Sequence, residues 1–329
     1  MMDSIKIRCD LLAENYRILS NKTWWNYSSN NRLGALLYAM EDRTVDVDAI
    51  NKCKKIIRDN SGLFSRFKDI TYFMTAVILS LKSDPEKVFQ ATVTIYKDMK
   101  KEGFYSSIYL TLAALSIAVQ AEPHEYQRII STTGKFYEAM KTEHRFLTHA
   151  SDYGYAALLA MSDKSVSSAT KDMESCYQTL MNEFFSHNSV QSLSHVLAFG
   201  EEDASKKCEK VIKLYQELRN RQCKFGTRYE LPVLGVAALL SEDIREMADE
   251  IAEVNQYLKQ KKGFGVWLAQ KERLMYVTAM VSGEYAAGLK DKTVELSLAN
   301  SITGILLAQE MAMIAATSAA AAASSSSSS

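Results

Sequence analysis

Aromatic residues recur along this chain with a period of about forty. Phenylalanines stand at Phe64, Phe104, Phe146, Phe185, Phe225 and Phe264, spaced 40, 42, 39, 40 and 39 residues apart. Tyrosines keep step at Tyr96, Tyr137, Tyr177, Tyr215 and Tyr257, spaced 41, 40, 38 and 42. Two markers sharing one period define internal repeats, and a unit of this length fits a pair of helices. Tetratricopeptide units, at about 34 residues, do not fit it.

Within each unit two kinds of segment alternate. The segments ending near the tyrosines are amphipathic: in Cys208–Leu218, Val211, Leu214, Tyr215 and Leu218 fall at i, i+3, i+4 and i+7, one face of a helix. Val88–Met99 repeats the pattern. The segments between them are apolar on most sides, as in Leu110–Ala118, Tyr155–Met161 and Val233–Leu240, which predicts burial on most sides. Ser83-Asp84-Pro85-Glu86 carries a helix-start signal, a capping side chain before proline. Glu122-Pro123, Ser162-Asp163 and Ser241-Glu242-Asp243 occupy the same place in later units. With 13 glycines and 3 prolines in 329 residues, turn formers are scarce, which argues against sandwiches, propellers and Gly-rich nucleotide folds. The fold class expected is all-α: repeated helical hairpins of about 40 residues, forming a curved solenoid or an α/α toroid. The phenylalanine and tyrosine markers are read as core.

The chain divides accordingly. Residues 1–23 read as an N-terminal helix covering the array, and 24–290 as the hairpin repeat domain. Residues 291–323 read as an Ala/Met-rich helix, and 324–329 as a disordered serine tail. Gln309 and Glu310 sit in the middle of the most apolar tail segment, which makes membrane contact there the weaker reading. No secretory h-region follows the N-terminus, and five widely spaced cysteines without a C-x-x-C pair support neither disulfides nor zinc. A cytoplasmic setting is expected. Lys plus Arg and Asp plus Glu are both 39, a balance that argues against a nucleic-acid partner.

Several strings carry a family likeness: Ser61-Gly62-Leu63-Phe64-Ser65, Gln191-Ser192-Leu193-Ser194-His195-Val196-Leu197-Ala198, Leu231-Pro232-Val233-Leu234-Gly235, and Lys262-Gly263-Phe264-Gly265 with Lys271-Glu272-Arg273-Leu274-Met275-Tyr276. With the Ala/Ser-rich tail they resemble a family of unknown function from Gram-positive (Firmicutes) bacteria. That resemblance implies a bacterial cytosolic protein and supplies no activity, cofactor or catalytic residue.

Motifs for chemistry are absent: no phosphate-cradling glycine loop, no G-x-S-x-G elbow, no H-E-x-x-H. No cofactor and no metal site are expected. What remains is position. Polar residues gather where the apolar helices begin: Arg32, Thr71, Asp152, Gln191, Glu230, Lys271, Glu272 and Arg273. In an array of hairpins these starts share one rim, and helix N-termini add partial positive charge there. Gln191 and His195 lie at i, i+4, on one face. The candidate ligand-binding set is Asp152, Gln191, His195, Glu272 and Arg273, with Trp267, Tyr72, Tyr109, Tyr153 and Tyr276 as apolar walls. Each polar member also has a structural reading: a cap for Asp152, a hydrogen-bonded core histidine for His195, an ion pair for Glu272 or Arg273. The function expected is a helical-repeat binding protein holding a peptide, a protein or a small ligand in its concave surface. The alternative is an α/α-toroid enzyme acting on a glycan or isoprenoid in a central funnel. A glycan hydrolase needs two facing carboxylates, and Asp152 with Glu272 or Glu230 is the available pairing.

Overall fold

A computed structural model describes residues 2–22, 28–62, 66–68, 71–288 and 304–305. Phe64, the reading of 291–323 as a helix and the serine tail 324–329 lie outside the described residues, Gly304 and Ile305 excepted. Fourteen helices follow one another among the described residues, with no strand. They are α1 (Met2–Lys22), α2 (Ser28–Met40), α3 (Val47–Asn60), α4 (Tyr72–Ser80), α5 (Pro85–Lys101), α6 (Ile108–Gln120) and α7 (Tyr126–Glu143). Then come α8 (Tyr153–Met161), α9 (Val166–Leu180), α10 (His187–Leu197), α11 (Ala204–Asn220), α12 (Leu231–Leu240), α13 (Ile244–Lys259) and α14 (Gln270–Gly288).

The starts of these helices are written in the sequence. Asp46 accepts the Ala49 amide at 2.8 Å, Asp84 that of Lys87 at 3.0 Å and Ser107 that of Leu110 at 3.1 Å. Asp243 accepts two amides, from Arg245 and Glu246. Each cap satisfies donors a helix start leaves orphaned. Pro85 and Pro232 sit in the first turns of α5 and α12, and Pro123 opens a short 3-10 turn, where a missing N–H costs nothing.

Burial separates two sets. The odd-numbered helices bury one face, as α3 does with Ile50, Cys53 and Ile57. The even-numbered helices bury most of their residues on all sides; α12 buries all but Leu239. Each odd helix packs on the even helix that follows it. Odd helices also touch odd neighbours from α3 through α5, α7, α9 and α11 to α13. Even helices do likewise: α2 touches α4, and contacts run from α6 through α8, α10 and α12 to α14. The turn Arg66–Lys68 bridges α4 and α6.

The two ends of the series meet. α13 lies against α1, and α14 against α2. Lys6 donates to Glu253 at 2.7 Å, the Tyr257 hydroxyl to Asp10 at 2.9 Å, and Arg8 pairs with Glu284. Gly263 has φ +91, and any Cβ there would strike the Tyr16 ring, so glycine is required for this approach. Ile305 is buried, and Gly304 lies against Leu158 of α8.

One aromatic contact links successive odd helices. Phe67 packs on Tyr96 with centroids 5.2 Å apart, Phe104 on Tyr137 at 6.0 Å and Phe184 on Tyr215 at 5.2 Å. Each of these three rings lies in an odd-to-even connection and meets the tyrosine of the next odd helix. His144 takes the same role toward Tyr177 at 4.2 Å. Phe264 completes the pattern on Tyr16, back at the first helix.

The core assignment of the phenylalanine markers needs a correction. Phe104, Phe225 and Phe264 are buried, but Phe146 and Phe185 are almost fully exposed. Phe184, one residue before Phe185, takes the core position, and half-buried Leu147 packs beside Phe146.

Candidate functional site

A polar-lined cavity of about 670 Å³ opens where α6, α8, α10 and α12 begin. Tyr109 of α6, Tyr155 of α8 and Tyr229 before α12 supply aromatic walls. Ser151 and Asp152 precede α8, and Asn188, Ser189, Gln191 and Ser192 come from the first turns of α10. Exposed Arg228 stands at the mouth.

Asp152 ends the 3-10 turn Ala150–Asp152 and begins α8. Its Oδ2 accepts the His149 amide at 2.8 Å, so the carboxylate caps the 3-10 turn and not α8 itself. Its Oδ1 lies 3.7 Å from Nδ1 of His195. Both side chains are buried. Burial pushes the Asp152 carboxyl up to about 7, against the weaker pull of the His149 amide and the Ser151 side chain. Burial pushes His195 down to about 3, and the nearby His144 adds to this. The imidazole is therefore neutral at pH 7, beside a carboxyl close to half-titration. Nδ1 of His195 makes no hydrogen bond. The hydrogen-bonded core histidine of the structural reading is buried but not bonded at this nitrogen.

Gln191 is fixed from the side. Its Nε2 donates to the Thr148 hydroxyl at 2.9 Å, and that hydroxyl donates to the Met140 carbonyl at 3.1 Å. His195, one turn further along α10, stands behind the cavity, its ring 5.5 Å from that of Tyr155. The structure thus brings Asp152, Gln191 and His195 together.

It does not bring Glu272 and Arg273 to them. Arg273 is buried, donating to Asn255 Oδ1 at 2.9 Å and to the carbonyls of Phe264, Gly265 and Leu268. It pins the connection between α13 and α14. Glu272 lies 3.5 Å from Arg32 of α2, across the junction of the two ends. Glu230 is fully buried outside the cavity, with the Arg228 amide at 3.1 Å and Lys271 Nζ at 3.4 Å. A Cβ on Gly226 would overlap the Glu230 carboxylate, so glycine makes room for it. Neither glutamate faces Asp152 across the cavity, and the paired carboxylates of a glycan hydrolase are not assembled there.

Of the expected walls, Tyr109 lines the cavity. Tyr153 is buried against Phe104 and Tyr137, Tyr276 is buried beside Phe264, and Tyr72 donates to the Lys54 carbonyl. Trp267 points into solvent. Tyr155, Tyr229, Ser189 and Arg228 were not foreseen as wall residues. Their signal was weak but present, since each lies within about one helical turn of an even-helix start.

A family model described as a protein of unknown function (DUF4003) matches residues 15–311. The chain belongs to the DUF4003 family. A Bacillus subtilis (strain 168) relative, "Uncharacterized protein YeaA", is 26% identical over 308 residues, covering 92% of this chain and 91% of that protein. No solved structure matches. Among the described residues of this DUF4003 chain, no group of three His, Cys, Asp or Glu side chains could hold a metal ion. No described helix is long and apolar enough to cross a membrane.

Proposed function

We propose that this chain is a helical-repeat binding protein, closed into an α/α toroid, that holds a small hydroxyl-bearing ligand at the start of its even helices. Closure is supported by the contacts of α13 and α14 with α1 and α2. The aromatic link that joins four of the connections to the next odd helix, repeated between Phe264 and Tyr16, supports it further. Small-angle scattering tests it: a closed array of this size has a radius of gyration of about 20 Å, and a markedly larger value overturns it.

The cavity carries the binding reading. Its volume lies in the range of small-molecule sites. Three tyrosines offer ring faces, while serines, Asn188, Gln191 and Asp152 offer short donors and acceptors. That composition suits a molecule rich in hydroxyls, such as a sugar, polyol or hydroxy acid. Asp152 near half-titration beside a cavity is also what a general acid or base requires, but the second carboxylate of the hydrolase alternative lies elsewhere. Binding is therefore the reading adopted. Five buried free thiols fit a reducing cytoplasm.

The test is thermal shift and calorimetry with a panel of sugars, polyols and hydroxy acids, against Ser192→Trp, which fills the cavity from its partly exposed side. A panel member should stabilise the wild type by about 2.7 kcal/mol at a hundred times its Kd, and leave Ser192→Trp unmoved. No response to the panel, or equal responses in both proteins, would overturn the reading.

A further inference from the structure

The most exposed large apolar side chains are unevenly distributed. Tyr105 follows α5, Phe146 follows α7, Phe185 follows α9, and Val266 and Trp267 follow α13. Phe146 is 89% exposed, Phe185 93% and Trp267 98%. All lie in odd-to-even connections. Among the described residues the even-to-odd turns carry none, and Ile7 on α1 is the other exposed case. Paired helices joined by short connections run antiparallel, so the odd-to-even connections share one end of the molecule and the even-to-odd turns share the other.

Packing does not require these rings. Each exposed residue has an immediate neighbour that anchors its connection: Phe104 beside Tyr105, Phe184 beside Phe185 and Leu268 beside Trp267 are buried, and Leu147 beside Phe146 is half-buried. The exposed ring is additional to that anchor, and leaving it in water forgoes the gain of burial.

Charge is polarised along the same axis. Arg145 and Lys262 are exposed in two of the aromatic-bearing connections, and Lys224 and Arg228 in the α11–α12 connection at the same end, all without carboxylate partners among the described residues, while the exposed carboxylates Glu102 and Glu183 stand near Tyr105 and Phe185. At the opposite end Glu201, Glu202 and Asp203 crowd one turn and Glu242 and Asp243 the next. The rings are separate tips on different connections rather than one continuous patch, so they do not form the flat apolar core of a protein interface. Exposed aromatic tips that share one end with four unpaired cations, away from the acidic turns, match an anionic bilayer surface. There rings settle at the headgroup level and cations meet phosphates.

We propose that the end of the molecule bearing Tyr105, Phe146, Phe185 and Trp267 docks peripherally on anionic lipid bilayers. The proposal stands apart from the identity of the cavity's ligand. If it holds, the cavity, of which Phe185 is a wall residue, opens toward the lipid surface.

The experiment is co-sedimentation of the full chain with phosphatidylglycerol-containing vesicles and with pure phosphatidylcholine vesicles. The wild type should bind the anionic vesicles at least tenfold more tightly, and less tightly as salt rises. A Phe146→Ser, Phe185→Ser, Trp267→Ser triple variant, with unchanged Tm because these side chains are almost fully exposed, should lose at least tenfold. An Arg145→Glu, Lys224→Glu, Lys262→Glu variant should lose as much. Failure of the wild type to bind, or undiminished binding by the aromatic triple variant, overturns the proposal. So does light scattering that finds a wild-type dimer which the triple variant abolishes, because the rings would then serve a second copy of the chain.

Discussion

Tyr16 of the first helix stands edge-on to Phe264, which follows the thirteenth, with ring centroids 5.4 Å apart and planes at 69°. The Arg32 guanidinium lies over the Tyr16 ring at 5.1 Å and donates to the Gly263 carbonyl at 3.2 Å. The junction of the two chain ends is therefore built from the same aromatic link that joins neighbouring units.

Phe264→Ala should cost about 3–5 kcal/mol in urea unfolding, the range for a buried aromatic. A double-mutant cycle with Tyr16→Ala should return a coupling of about 0.5–1.5 kcal/mol. Coupling near zero would mean that the two rings do not hold the junction.

Adjacent positions in the connections should behave in opposite ways. Phe104→Ala and Phe225→Ala remove buried rings and should each cost about 3–5 kcal/mol. Phe185→Ala and Phe146→Ala remove exposed rings and should change stability by no more than about 0.5 kcal/mol. Denaturant midpoints of the four variants decide the matter, and similar losses in all four would contradict the burial pattern.

Asp152 and His195 should give opposite pH signatures. Asp152 rises from 3.8 to about 7 on folding. Its contribution to stability is full below pH 3.8 and is lost as pH climbs toward 7. His195 falls from 6.5 to about 3, so its contribution is full above pH 6.5 and is lost as pH falls toward 3. Between about pH 4 and 6.5 the unfolded chain holds one proton on His195 and the folded chain holds one on Asp152, so the two slopes cancel. Asp152→Asn should therefore lose stability as pH falls through this window, relative to its own value at pH 6.5. His195→Gln should gain. Each slope approaches 1.4 kcal/mol per pH unit. Parallel profiles for the two variants would show that the groups do not titrate as described.

Arg273→Met leaves Asn255 and three loop carbonyls without their donor. It should destabilise by about 3 kcal/mol. A folded Arg273→Met protein should still respond to the panel member that stabilises the wild type, since Arg273 does not line the cavity. Loss of that response in a folded variant would return Arg273 to the ligand site.

The helices were legible because their signals are local. Capping residues such as Asp84 and Asp243 sit beside the turns they close, and the all-round apolar character of Leu110–Ala118 or Val233–Leu240 marks an even helix directly. The choice between neighbouring rings was not legible. Phe184 and Phe185 have the same chemistry, and which one turns inward depends on how α11 presents Tyr215 to that connection. Gln191 and His195 were readable from their i, i+4 spacing. Glu272 and Arg273 began an even helix just as Asp152 does, so sequence position placed them in the same site. Their actual partners, Arg32, Asn255 and the carbonyls of 264–268, are assigned only once the chain has come back on itself.

The meeting of α1 with α13 also orders events during synthesis. Lys6, Arg8, Asp10 and Tyr16 find Glu253, Glu284, Tyr257 and Phe264 only after 247 or more further residues have been made. At about 5–20 residues per second, the first helix leaves the ribosome with that flank uncovered for on the order of ten seconds to a minute. A nascent chain of this family therefore carries an unsatisfied N-terminal edge for most of its translation, and that interval is when a chaperone, or a second nascent chain, has access to it.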